Sequence, residues 1–415
     1  MRLVSASLPV VRLRMAEPLP PLEGGPEAWP VLDGTLAASQ DAAVRAAGLG
    51  PIVDRPPASG PWLAIGDHTW VTAPFLRRFL EACPPEGGVA ELSGPFVTFS
   101  RPLQDGVDGE RWRVPVAVFT SGGADPARLA AAPSVPVDVA ATLAALPDPH
   151  PAMAHASTVP IPVTDTMAHP ITHWSHLLRV NLLGLVAFAE GQKRATMSGP
   201  ALGKLWAVAR LVAKARSFDK WRLAAAIGPQ GRGCTIHPTA TVEACVLGDG
   251  VEVGPHAVVR ASWLAAGAKV QEHAMVNLTV AGPGATIGRG AMVNLCVLGA
   301  RSFLSAGWGF QACVLGPEAF VAMGACFYDL SFGSEVEVLH RGARVSAGTH
   351  FLGVAVGPRA KVGPNVIVGY GEAIPADAFL VGDPGRMFRR IPAALPRGPV
   401  TARDGAIVPV GRPRG

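Results

Sequence analysis

The segment AMVNL occurs at Ala274–Leu278 and again at Ala291–Leu295, 17 residues apart. CVLG occurs at Cys245–Gly248, Cys296–Gly299 and Cys313–Gly316, at intervals of 51 and 17, and the first interval is three times the second. Stepping by 17 from Ile236 meets Val253, Val270, Ile287, Leu304 and Val321, all aliphatic. Parallel columns read Ala240, Ala257, Ala274, Ala291, Trp308, Ala325; Val242, Val259, Val276, Val293, Phe310, Phe327; and Gly248, Ala265, Gly282, Gly299, Gly316, Gly333. A period this strict dictates the architecture before anything else is considered.

Within each period the apolar residues recur every five or six positions with small residues between, which no 3.6-residue helix accommodates. A triangular parallel β-coil does accommodate it. Short strands form three sides, a large aliphatic and a small residue point inward, and Gly, Asn or Asp relaxes each corner. Each column then stacks on itself at the ordinary strand spacing of about 4.8 Å. Coils are expected from Cys234 to Asp383, with the register loosening after Phe327 and resuming at Leu339, Val345, Phe351, Val356, Val362, Val368, Ile374 and Leu380. A bulge or small loop is expected within Asp329–Glu337.

The units IGRGAM, VGPHAV and VGPNVI, and the closing GYGEAIPADAFLVGDPGRMFRRIP, resemble the hexapeptide-repeat transferases. That resemblance implies a left-handed parallel β-helix of 17–18-residue coils, an acyl-CoA or acetyl-CoA co-substrate, a sugar or nucleotide-sugar acceptor and a homotrimer. In that family the catalytic base is a histidine in the cleft between subunits, a role imidazole suits at neutral pH. His256 and His273 stand 17 apart and stack in one column, so they are the candidate catalytic residues. The family's carbonic-anhydrase relatives need three converging histidines, and no HxxxxH spacing accompanies this pair. Asn277, Asn294 and Gln311 form a column suited to an amide ladder. Cys245, Cys296 and Cys313 share a column with Ser262 and Thr279 and read as packing thiols. Trp308, replacing an Ala, hints at a local pocket.

The first half reads as α/β. Trp62–Ile65 is expected as a buried strand ending at Gly66-Asp67, and Thr72–Ala82 as a helix with Pro74 in its first turn. An acid at the C-terminal edge of a strand is where open α/β sheets bind phosphates or metal. This layout resembles a sugar-nucleotidyltransferase domain, and HPITHWSHLLRVNLLGL resembles the hinge helix of those enzymes. The resemblance makes Asp67 the candidate ligand of Mg2+. No Gly-rich, Arg-containing phosphate loop precedes it, so nucleotidyl transfer has no electrostatic support and the domain is expected to be a degenerate remnant. The expected organisation is a degenerate nucleotidyltransferase-like α/β region over 1–165, a helical connector over 166–230, the left-handed β-helix over 231–388 and a disordered tail over 389–415. The alternative to an acyltransferase is a non-enzymatic scaffold or regulatory homologue that has lost both sites.

Composition narrows the class further. Hydrophobic residues make up 49% and charged ones 16%, the reverse of a disordered chain. A net charge of +5 over 415 residues gives no basis for a nucleic-acid partner. Six cysteines without a CxxC pair point to a reducing cytoplasm. The start MRLVSASLPVVRLRM has no apolar core for a signal peptide, and no window reaches the roughly 18 apolar residues of a spanning helix. Helices are expected over His176–Glu190 and Ala201–Ile227. The second is basic and amphipathic, which leaves peripheral contact with the inner membrane face open.

Overall fold

The computed structural model describes residues 8–139, 141–144, 161–197, 205–206, 209–213, 227–307, 309–386, 391–392, 395 and 400–410. Trp308 and most of Ala201–Ile227 therefore lie outside the described residues.

The first half is a mixed sheet flanked by helices. Its elements are β1 (Val10–Leu13), α1 (Leu36–Ala46), β2 (Ile52–Val53), β3 (Trp62–Gly66), β4 (Thr69–Val71), α2 (Ala73–Ala82), β5 (Gly88–Ser93), α3 (Pro95–Ser100), β6 (Arg111–Phe119), α4 (Pro126–Ala131) and β7 (Ser134–Val137). The strand order is β7-β5-β6-β3-β1-β2. β1 runs parallel to β2 and β3, whereas β6 is antiparallel to both neighbours. All five residues of β3 are buried, as a central strand covered on both faces requires. α2 buries Phe75, Leu76, Phe79 and Leu80, a one-sided apolar stripe at helical spacing. Thr35 caps α1 by accepting the Ala38 N–H at 3.3 Å.

After β8 (Ala168–Pro170), which pairs with β4, comes the long helix α5 (Ser175–Met197). Asn181 pins it, donating to Pro30 O at 3.1 Å and accepting from Leu32 N at 2.7 Å. No helix among the described residues is long and apolar enough to cross a membrane.

The second half is a stack of parallel strands in three faces. On the first face Thr235–Ile236 pairs with Glu252–Val253, and the same 17-residue step repeats through Lys269–Val270, Thr286–Ile287, Phe303–Leu304 and Phe320–Val321. The second face carries Val242, Val259, Val276, Val293 and Phe310 in register. The third carries Leu247, Leu264, Ala281, Leu298 and Leu315. These columns form a continuous buried cluster down the axis of the stack. Each fully buried aliphatic there contributes about 1.5–3 kcal/mol of transfer free energy.

Beyond Phe327 the structure departs from the expected small loop. Val314 pairs with Ala355 and Val321 with Val362, 41 positions on instead of 17. The intervening chain leaves the stack, and Glu337–His340 and Ala343–Ser346 form an antiparallel hairpin. Leu339 and Val345 are therefore hairpin residues and not rungs. They imitate rungs only because they stand six apart, the interval between rungs of a coil. Arg341 and Gly342 both adopt positive φ (49° and 83°), the geometry of a two-residue turn matching strand twist. The hairpin places Val336 and Val338 in the apolar cluster of the α/β half, together with Val297, Val314 and Leu352, so one core runs across the junction.

The tail read as disordered also contains a hairpin, Val400–Arg403 with Ala406–Pro409, around an Asp404-Gly405 turn. Its Gly405 N–H bonds Gly385 O at 3.1 Å. Arg/Pro/Gly composition concealed an Asp-Gly signal between two alternating runs.

Candidate functional site

Two places assemble polar side chains at structurally determined positions: a corner of the coil stack and a crevice at the sheet edge. At the corner after the first face, the chain turns through a left-handed residue in three successive coils: His256 (φ 56°), His273 (φ 59°) and Gly290 (φ 67°). The αL conformation is what directs both imidazoles outward. Their rings stack 5.1 Å apart with planes 16° from parallel, and both residues are exposed. The Thr239 hydroxyl accepts the His256 N–H at 3.0 Å and fixes this corner to the coil before it. The predicted column thus exists, on an accessible edge, with both rings free to meet a ligand or a second subunit.

The crevice lies where β1 and β3 end. Parallel strands deliver their C-terminal ends to one edge, so the loop after β1 meets Asp67 there. Asp67 Oδ1 accepts the N–H groups of Met15 at 2.9 Å and Ala16 at 2.8 Å, and His68 Nδ1 stands 3.6 Å away. Burial raises the Asp67 pKa, but His68 and the two N–H donors outweigh it, so the carboxyl is held below its ordinary value. Behind it, buried Gln40 donates to Gly66 O at 3.0 Å and Thr69 O at 2.7 Å. Arg12 in turn donates to Gln40 Oε1 at 2.8 Å. The resulting cavity of about 260 Å³ is lined by Met15, Glu17, His68, Gln104, Asp105, Arg113, Thr172 and Arg341.

Arg341 reaches the cavity from the hairpin. It donates to both Asp105 oxygens at 2.9 and 2.7 Å and to Glu17 at 3.0 Å. The acids across the crevice are therefore paired with a guanidinium, and one Asp67 oxygen is shared by two N–H donors. As arranged, this donor set does not fit Mg2+, and no three His, Cys, Asp or Glu side chains converge on a metal position among the described residues.

The motif HPITHWSH builds the joint between the halves. His169, His173 and His176 are buried, with His176 Nε2 and Pro102 O 2.8 Å apart and the His173 ring 5.5 Å from that of His340. Burial is the main cause that lowers His169 and His173 to about 3 and His176 well below its ordinary value. These histidines are neutral packing groups.

The amide column forms a ladder: Asn277 Nδ2 donates to Asn294 Oδ1 and Asn294 Nδ2 to Gln311 Oε1, each at 3.0 Å. In the thiol column each side chain donates to the carbonyl two residues before it, as with Ser262 to Arg260 O (2.7 Å) and Cys313 to Gln311 O (3.1 Å). The residue between adopts αL at Ala244, Ala261, Leu278, Leu295 and Ala312. A small donor satisfies the corner carbonyl there, which is why Cys, Ser and Thr alternate. Burial raises Cys245 to about 11 and holds Cys313 well above its ordinary value, so neither is a nucleophile.

No protein-family description and no curated protein matches the chain. Fold and sites define an α/β crevice domain packed through a histidine-lined joint on a stack of parallel strands.

Proposed function

We propose that the protein is a hexapeptide-class acyltransferase, its stack a left-handed β-helix that trimerises, moving an acyl group from acyl-CoA to a sugar or sugar nucleotide. The observation that carries this reading is the exposed His256–His273 ring stack on one corner of a regular coil. One imidazole takes the proton of the acceptor hydroxyl or amine as that atom attacks the thioester carbonyl. The carbon–sulfur bond breaks, and the coenzyme A sulfur leaves as the thiol after taking up a proton.

A second reading, a regulatory homologue without chemistry, is favoured by the pairing of Arg341 with Asp105 and Glu17 and by the two N–H bonds that Asp67 accepts from the loop after β1. Acyl-CoA turnover separates the two. Replacing His256 and His273 together by Ala is expected to lower turnover by about 10²–10⁴-fold while leaving the melting temperature within a few degrees. Undiminished turnover in the double variant removes the assigned base. If acetyl-CoA neither turns over nor raises the melting temperature of the wild type, the regulatory reading stands instead.

A further inference from the structure

A second cavity, of about 390 Å³, lies between α5, the loop after α3 and the outer edge of the coil stack. This size falls in the range of small-molecule sites, about 300–1,000 Å³. Leu178 and Leu182 of α5 face Leu278 and Leu295 of the stack across it, with Phe99 and Phe351 at its rim. Leu278 (φ 46°) and Leu295 (φ 54°) hold left-handed corners that Ala occupies in the coils on either side. The backbone there is the same with Ala or Leu, so what the two leucines add is apolar surface towards the cavity.

In this apolar wall stands one permanent cation. Arg179 donates to Pro102 O at 3.0 Å and Ala347 O at 3.4 Å, and it has no carboxylate partner among the described residues. No Asp or Glu lines the cavity. Burial lowers the guanidinium to about 10, which leaves it protonated at neutral pH. Arg179 is half-buried on this wall, and a guanidinium held against apolar surface without a counter-ion favours an anionic partner.

We propose that this cavity binds an aliphatic carboxylate, with the chain among Leu178, Leu182, Leu278 and Leu295 and the head on Arg179. The site is separate from the His256–His273 corner, so it stands or falls independently of acyl transfer. Arg179 also ties three segments together through its two carbonyl bonds, and the test must distinguish that role from ligand binding.

Titration calorimetry of the full chain with decanoate, 1-decanol and decylamine provides that test. Decanoate is expected to bind at least about tenfold more tightly than either, since the charge-assisted bond is made by the carboxylate alone. Arg179→Gln should lose that preference, and Arg179→Lys should keep part of it. Equal binding of all three probes, or no decanoate binding, overturns the proposal. So does an Arg179→Gln variant that is folded and retains the preference. The wild-type series decides alone if that variant does not fold.

Discussion

Acidification from pH 7.5 to pH 5 is expected to cost the fold several kcal/mol through His169, His173 and His176. In the folded chain burial keeps all three neutral, and the Arg179 charge adds to the effect at each. In the unfolded chain they titrate near 6.5. Below that pH the unfolded state takes up protons that the folded state refuses, so stability falls as pH falls, towards the folded value of about 3 for His169 and His173. Each histidine contributes a slope approaching about 1.4 kcal/mol per pH unit, or about 2 kcal/mol by pH 5. Asp67 and Asp105, whose carboxyls are held low, lose their contribution only below the ordinary carboxylate range, whereas His340, also lowered by burial, adds to the same slope between pH 5 and 6.5. Urea midpoints measured between pH 5 and 6.5 should fall steeply, and His169→Gln should make the slope shallower. A flat profile would show that the histidines are solvated and the joint is open.

Inside the stack, Leu298→Asp is expected to abolish cooperative folding of the C-terminal half. Leu298 is fully buried and pairs with Ala281 and Leu315 in the adjacent coils. A carboxylate at that position has no donor, and an unpaired buried charge costs several kcal/mol at least. Leu298→Met, which preserves volume, should cost under about 1.5 kcal/mol. Met292, in the same coil, is 47% exposed, and Met292→Asp should change stability by no more than about 0.5 kcal/mol. Thermal melts and limited proteolysis check all three. Equal tolerance at 298 and 292 would mean that the inward and outward faces are misassigned.

The stack was legible because its constraint is one-dimensional. Like residues pile on like, so Val242, Val259, Val276 and Val293 declare their column in the sequence itself. The excursion after Phe327 was not legible in the same way, because Leu339 and Val345 keep the six-residue interval of the rungs and only their partners reveal a hairpin. The left-handed corners were half legible. Gly290 announces one, whereas Leu278 and Leu295 give no local sign. The donor role in the Cys245 column was visible as smallness alone, although the alternation with Ser262 and Thr279 already carried the hydrogen-bonding signal. In the first half, Trp62–Ile65 and the helix ending at Ala82 were readable from pattern, as was the acid at the strand end. What Asp67 binds was not, since Met15 and Ala16 approach it only through the pairing of β1 with β3. In the sequence Arg179 is only a charge that interrupts the apolar run Leu177 to Ala189, and its meaning depends on a cavity formed by three distant segments.

The most direct measurement is of distance along the stack by paired spin labels, with Cys234 and Cys326 replaced by Ser. Thr235, Phe303 and Lys361 occupy the first, fifth and seventh strands of one face. At about 4.8 Å per strand, backbone separations should be about 19 Å from Thr235 to Phe303 and about 29 Å from Thr235 to Lys361. The second distance should hold even though a hairpin excursion intervenes. Separations that do not grow in proportion to strand number, or a Lys361 label displaced well beyond two further strand spacings, would contradict the coiled stack on which both sites depend.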